Sequence, residues 1–185
     1  MPCGLGHTPP YHLLALSLGG MVAKCCSEAH PEEVPAMVLI NTSMPPYNPF
    51  HHRLCPATYP ALIRMALESD PARREETILR LTSVRGAAPD VLAAWSGYAR
   101  ECPVSRLNAL WQLLAAARFR ANGTPQATRV LLLASSRDRL VNPKCSYALA
   151  RAWGAKLAGH SQTVHNLPLD DPDWLVQQVQ DWKYA

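Results

Sequence analysis

No stretch of this sequence is apolar for long enough to cross a bilayer. The longest such run, residues 13–23, contains Ser17, Gly19 and Gly20 and follows no positively charged segment, so neither a membrane anchor nor a signal peptide is expected. Charge is also sparse: Asp, Glu, Lys and Arg make up 17% of the chain. The net charge of +4 comes from scattered Lys and Arg, and Arg73-Arg74 is followed at once by Glu75-Glu76, the pattern of a solvated helix face. Without a basic stripe, nucleic acid is not an expected partner. Cys3, Cys25, Cys26, Cys55, Cys102 and Cys145 match neither a zinc spacing nor a small disulfide framework, which points to free thiols, no bound metal and a cytoplasmic protein. Internal repeats are lacking too.

What is present is a globular composition, 48% hydrophobic in 185 residues, enough for one sizeable core. Residues 1–10 are rich in Gly and Pro and read as an irregular lead-in. Residues 11–16 (YHLLAL) form a compact apolar strand, Ser-Leu-Gly-Gly breaks it, and residues 21–29 continue as a helix. Residues 35–40 (PAMVLI) are a second buried strand, which makes a βαβ unit and so a parallel sheet. Residues 45–125 change texture to helices punctuated by proline. There Asp70-Pro71 sets a helix start, and Leu107, Leu110, Trp111 and Leu114 recur at helical spacing, with Trp95 and Trp111 expected in a core. A strand at 129–134, a helix at 143–153, a weak strand at 156–159 and a last helix opening at Asp171-Pro172 complete an α/β chain. Its core would be 1–44 with 126–185, and 45–125 a helical insertion.

Ser17 stands between strand and helix with Ala15 two residues before and Gly19 two after. This is a G-x-S-x-G elbow with alanine at the first small position. Small residues there let the chain turn sharply and expose the hydroxyl at a helix N-terminus, where the Leu18 N–H can serve an oxyanion. Taken alone, Ser-x-Gly-Gly could equally be an ordinary turn. A serine nucleophile needs a base and the base an orienting acid. Asp138 lies just beyond the 129–134 strand, although a loop carboxylate paired with Arg137 or Arg139 is the plainer reading of that residue. His165 follows the last strand in the loop beyond it; His160, at the strand end, is its rival. Asp170 and Asp171 compete as the acid but come after the histidine and look like caps of the last helix.

The segments LLALSLGGMVA, AMVLINTS, SRDRLVNP and VHNLPLDDPDWL resemble bacterial members of the α/β-hydrolase superfamily, especially small cytoplasmic hydrolases related to carboxylesterases. The resemblance runs over nearly the whole chain and is weakest in the insertion, which corresponds to the family's variable cap. It implies a parallel-sheet α/β-hydrolase fold and cofactor-free attack by Ser17 on an acyl carbonyl of a small-molecule substrate. His165 would be base and then acid, Asp138 would orient it, and water would release the acyl-enzyme. Carbon-carbon hydrolysis and haloperoxidase-like chemistry also occur in the superfamily. In the family further strands precede the elbow, whereas here 16 residues do. The expectation is therefore a fold lacking its first strands and the loop that donates the second oxyanion N–H, for which Gly6-His7 lies too close to the elbow to substitute. Such a chain would carry an apolar sheet edge open to self-association or to a complementing partner, or reflect an incomplete gene model; an impaired or inactive fragment is the alternative to an enzyme.

Overall fold

The computed structural model describes residues 8–125 and 127–183, so Cys3, Gly6 and His7 lie outside the described residues. Among the described residues four strands, β1 (His12–Leu16), β2 (Ala36–Ile40), β3 (Arg129–Ser135) and β4 (Lys156–His160), form one sheet in the order β1-β2-β3-β4. Every pair is parallel, with Leu16 opposite Ile40, Ile40 opposite Leu133, and Ser135 opposite His160. Because each connection crosses back over the sheet, all four C-terminal ends share one edge, where ligands of open α/β sheets bind.

The central strands read as continuous apolar runs because both faces are covered. On one face, Met37, Leu39, Val130 and Leu132 pack against Met21 and Ala23 of α1 (Gly19–Ala29) and Leu149 and Trp153 of α7 (Lys144–Trp153). On the other, Val38, Ile40, Leu131 and Leu133 meet Leu167 of α8 (Leu167–Asp170) and Leu175 of α9 (Pro172–Lys183). Each such Leu or Ile contributes about 1.5–3 kcal/mol on burial, so β2 and β3 dominate the stability of the sheet. β1 pairs only with β2 among the described residues, and its Leu14, on the face of Val38, is 55% exposed.

Between β2 and β3 run α2 (Phe50–Arg53), α3 (Tyr59–Leu67), α4 (Pro71–Thr82), α5 (Pro89–Glu101) and α6 (Arg106–Arg118). Asp70 caps α4 by accepting the Ala72 N–H at 3.0 Å, with Pro71 in the first turn. Two expectations here need correction. The α6 stripe is helical but not core: Trp111 is 57% exposed, Leu107 and Leu110 are exposed as well, and Leu114 is half-buried. Periodicity reveals an apolar face without revealing what it meets, and Leu110 and Leu113 border an open cavity instead of a packed layer. The Arg73–Glu76 run is likewise only partly solvated. Arg73 pairs with Asp70 and Glu76 with Arg80 on the outside, whereas Arg74 and Glu75 are half-buried and line the same cavity.

Among the described residues no helix is long and apolar enough to cross a membrane. The described cysteines, Cys25, Cys26, Cys55, Cys102 and Cys145, are all free thiols. Gly20 is required by packing, since an added Cβ would overlap Thr42, 2.8 Å from its Cβ and nearer still to its hydroxyl. Gly20→Ala is expected to lower unfolding free energy by about 1–3 kcal/mol in urea denaturation, with part of the loss recovered when Thr42→Ala is added.

Candidate active site

Ser17 follows β1 directly and adopts a left-handed backbone, φ 54°, which a residue with a Cβ takes only when its surroundings impose it. Three hydrogen bonds impose it here. The Ser17 N–H donates to the Ile40 carbonyl at 2.8 Å, while its carbonyl accepts from the Thr42 hydroxyl at 2.7 Å and the Gly20 N–H at 3.0 Å. Ala15 serves at the first small position of the elbow because a Cβ at Gly19 would still sit 3.7 Å from the Ala15 Cβ, ordinary contact. α1 starts at the next turn with no side-chain cap and no acidic residue in its first turn, and its positive end lies at Ser17 and Leu18.

Asp138 is buried, 7% exposed, in the turn after β3, and makes no ion pair with Arg137 or Arg139. Its Oδ1 accepts the N–H groups of Leu140 at 2.8 Å and Val141 at 3.0 Å. Its Oδ2 accepts from His165 Nδ1 at 2.7 Å, and His165 is 5% exposed. The carboxylate, held on its other oxygen by two backbone N–H groups, thus fixes the orientation of the imidazole through Nδ1.

His160 is committed elsewhere. Its Nδ1 accepts the N–H groups of Gln162 at 3.2 Å and Thr163 at 3.1 Å, its Nε2 donates to Asp171 Oδ2 at 3.0 Å, and its ring meets Trp174 edge-on. With both nitrogens engaged it anchors the turn leading to His165. Asp171 caps α9 through the Trp174 N–H at 3.0 Å; that bond, followed by the one from His160, holds its carboxyl below the usual range. Asp170 is not a cap, contrary to the sequence reading. Its Oδ1 accepts from the Ser83 hydroxyl at 2.6 Å and the Val84 N–H at 3.0 Å, and its Oδ2 from the Val164 N–H at 3.2 Å. Together with the Asn166 N–H donating to the Thr82 carbonyl at 2.6 Å, this ties the end of α4 to both neighbours of His165.

Asn41, directly after β2, holds this region together. Left-handed itself, φ 47°, it donates from Nδ2 to Ser135 Oγ at 2.9 Å and to the His165 carbonyl at 2.8 Å, and accepts the Ser135 N–H at 2.7 Å. The available signal was a short polar amide directly after a fully apolar strand, where asparagine tolerates positive φ.

Ser17 and Leu18 open onto a cavity of about 790 Å³ whose walls include Leu140 and Val141 beside Asp138 and, from the helices, Leu62, Met65, Ile78, Trp95 and Tyr98. Trp95 and Tyr98 thus border the cavity, whereas Phe119 packs on the first sheet face. Burial raises the Glu75 carboxyl in this wall, opposed by Arg74. Among the described residues the one metal-compatible cluster, His30, Glu32 and Glu33, lies at the other end of the sheet, before β2.

A family model described as the alpha/beta hydrolase family matches residues 3–178. The chain belongs to that family. Among solved structures, this alpha/beta hydrolase is similar to a malate-bound thermophilic esterase from Thermogutta terrifontis, at 20% identity and a TM-score of 0.70 over 97% of this chain and 66% of that one. It is similar to the esterase RhEst1 from Rhodococcus sp. ECU1013, at 20% identity and TM-score 0.70, covering 97% and 67% of the two chains. A 2-hydroxy-6-oxo-6-phenylhexa-2,4-dienoate hydrolase from Rhodococcus sp. strain RHA1 follows at 18% identity and TM-score 0.72, covering 94% and 64%. The chain therefore spans about two thirds of the length of these structures, and the likeness is one of fold. A search of curated protein sequences finds no match.

Replacing Asn41 by Leu leaves the buried Ser135 N–H and the His165 carbonyl without this partner. The expected loss is about 1–3 kcal/mol in urea denaturation, with hydrogen exchange rising in residues 163–166.

Proposed function

We propose that this alpha/beta hydrolase is a serine hydrolase that cleaves a carboxylic ester or thioester through an acyl-enzyme. The observation that carries this reading is the buried 2.7 Å hydrogen bond from His165 to Asp138, on the same sheet edge as the left-handed Ser17. Ser17 Oγ attacks the acyl carbonyl while His165 Nε2 takes its proton. The imidazolium so formed is stabilised by Asp138 and then protonates the leaving alcohol or thiol. Water, deprotonated by His165, releases the acid and restores Ser17. The Leu18 N–H, at the uncapped start of α1, is the proposed donor to the tetrahedral oxyanion. Residues 45–125 act in this reading as a cap that supplies much of the largely apolar acyl pocket over a core of 1–44 and 126–185.

Fluorophosphonate labelling tests the proposal against that of a non-catalytic chain. Wild type is expected to label and Ser17→Ala to remain unlabelled; failure of folded wild type to label at Ser17 would remove the enzymatic reading. Asp138→Asn, which favours the wrong histidine tautomer, is expected to lower kcat toward p-nitrophenyl esters by on the order of 10⁴.

A further inference from the structure

The cavity beside Ser17 is walled mainly by aliphatic and aromatic side chains, yet Arg53, Arg74, Arg106 and Glu75 also reach it. Arg74 lies beside Glu75 and counteracts the rise in that carboxyl's pKa. Arg106 donates to the carbonyls of Leu67 at 3.4 Å and Glu68 at 3.3 Å in an exposed position. Arg53 differs from both. Its Nη2 donates to the Ala116 carbonyl, its Nε is buried without a partner, and no carboxylate of the described residues forms an ion pair with it. Burial lowers its pKa, the mark of a cation held away from water. The neighbouring Cys145 thiol is no counter-ion, since burial pushes it up to about 12 and keeps it neutral at ordinary pH.

Position adds to the case. The Asn142 N–H donates to the His52 carbonyl at 2.9 Å and the Cys55 N–H to the Leu140 carbonyl at 2.9 Å, so the chain on both sides of Arg53 is stitched to the loop that carries Asp138. A half-buried guanidinium lacking a counter-ion, at the wall of an apolar cavity that also contains the nucleophile, matches a substrate with an apolar body and an anionic end. We propose that Arg53 binds a carboxylate on the acyl part of the substrate, making the substrate a half-ester or half-thioester of a dicarboxylic acid. This rests on the serine-hydrolase reading above. Hydrolysis adds water across the acyl bond and releases a dicarboxylate with an alcohol or thiol.

Binding and turnover separate the two claims. In calorimetry, glutarate is expected to bind both wild type and Ser17→Ala at least about tenfold more tightly than glutaramide, and Arg53→Gln to lose that margin. In turnover by wild type, p-nitrophenyl hydrogen glutarate should exceed p-nitrophenyl pentanoate by about tenfold in kcat/KM, a ratio that collapses in Arg53→Gln and falls with added salt. Equal binding of glutarate and glutaramide by folded wild type overturns the anion site, as does a margin that survives Arg53→Gln. If that variant does not fold, the wild-type ligand comparison decides alone. Glutarate binding that depends on Arg53, without Ser17-dependent turnover of either ester, upholds the anion site and overturns the hydrolase reading.

Discussion

A carboxylate with almost no exposed surface has to be hydrogen-bonded on every side, and one end of the sheet is organised around meeting that demand for Asp138. Two backbone N–H groups satisfy one oxygen and His165 the other. Those bonds shape the 138–141 turn and orient the imidazole at once, because the oxygen that still needs a donor is the one facing it. Removing any member leaves a buried charge underprovided, so the arrangement is cooperative rather than a sum of contacts.

The same edge holds strain in place. Ser17 and Asn41 both adopt left-handed backbone, one at the end of β1 and the other at the end of β2. Each depends on its neighbour strand: Ser17 on Ile40 and Thr42, Asn41 on Leu133, Ser135 and His165. The hydrogen bonds thus run sideways across the C-terminal ends of β1, β2 and β3 to the loop beyond β4. A second network, through Asp170, Ser83 and Thr82, joins that loop to α4 of the insertion. The residues bordering the cavity and the residues orienting His165 are therefore parts of one connected structure.

The strands were legible because β2 is apolar throughout and β3 from Val130 to Ala134, which parallel pairing with both faces covered requires. The sharp turn at Ser17 was legible from the small residues around it, and the places of Asp138 and His165 beyond β3 and β4 from the order of the strands. Less legible was everything that depends on what an element faces. The α6 stripe predicted burial for Trp111, but Trp111 is exposed and Leu110 borders open space. The charges at Arg74 and Glu75 looked solvated because sequence shows alternating sign and not the cavity on one side. Asp170 looked like a cap because it precedes a helix, while its carboxylate reaches across to Ser83, distant in sequence. Asn41 went unremarked because its partners come from two other segments.

The most direct measurement of the central claim is the protonation pattern of the His165 ring in ¹H–¹⁵N correlation spectra at neutral pH. For the neutral form of the ring the account predicts the proton on Nδ1, slow to exchange with water because it is buried against Asp138, and none on Nε2. A proton resident on Nε2, or rapid averaging between the two nitrogens, would contradict it.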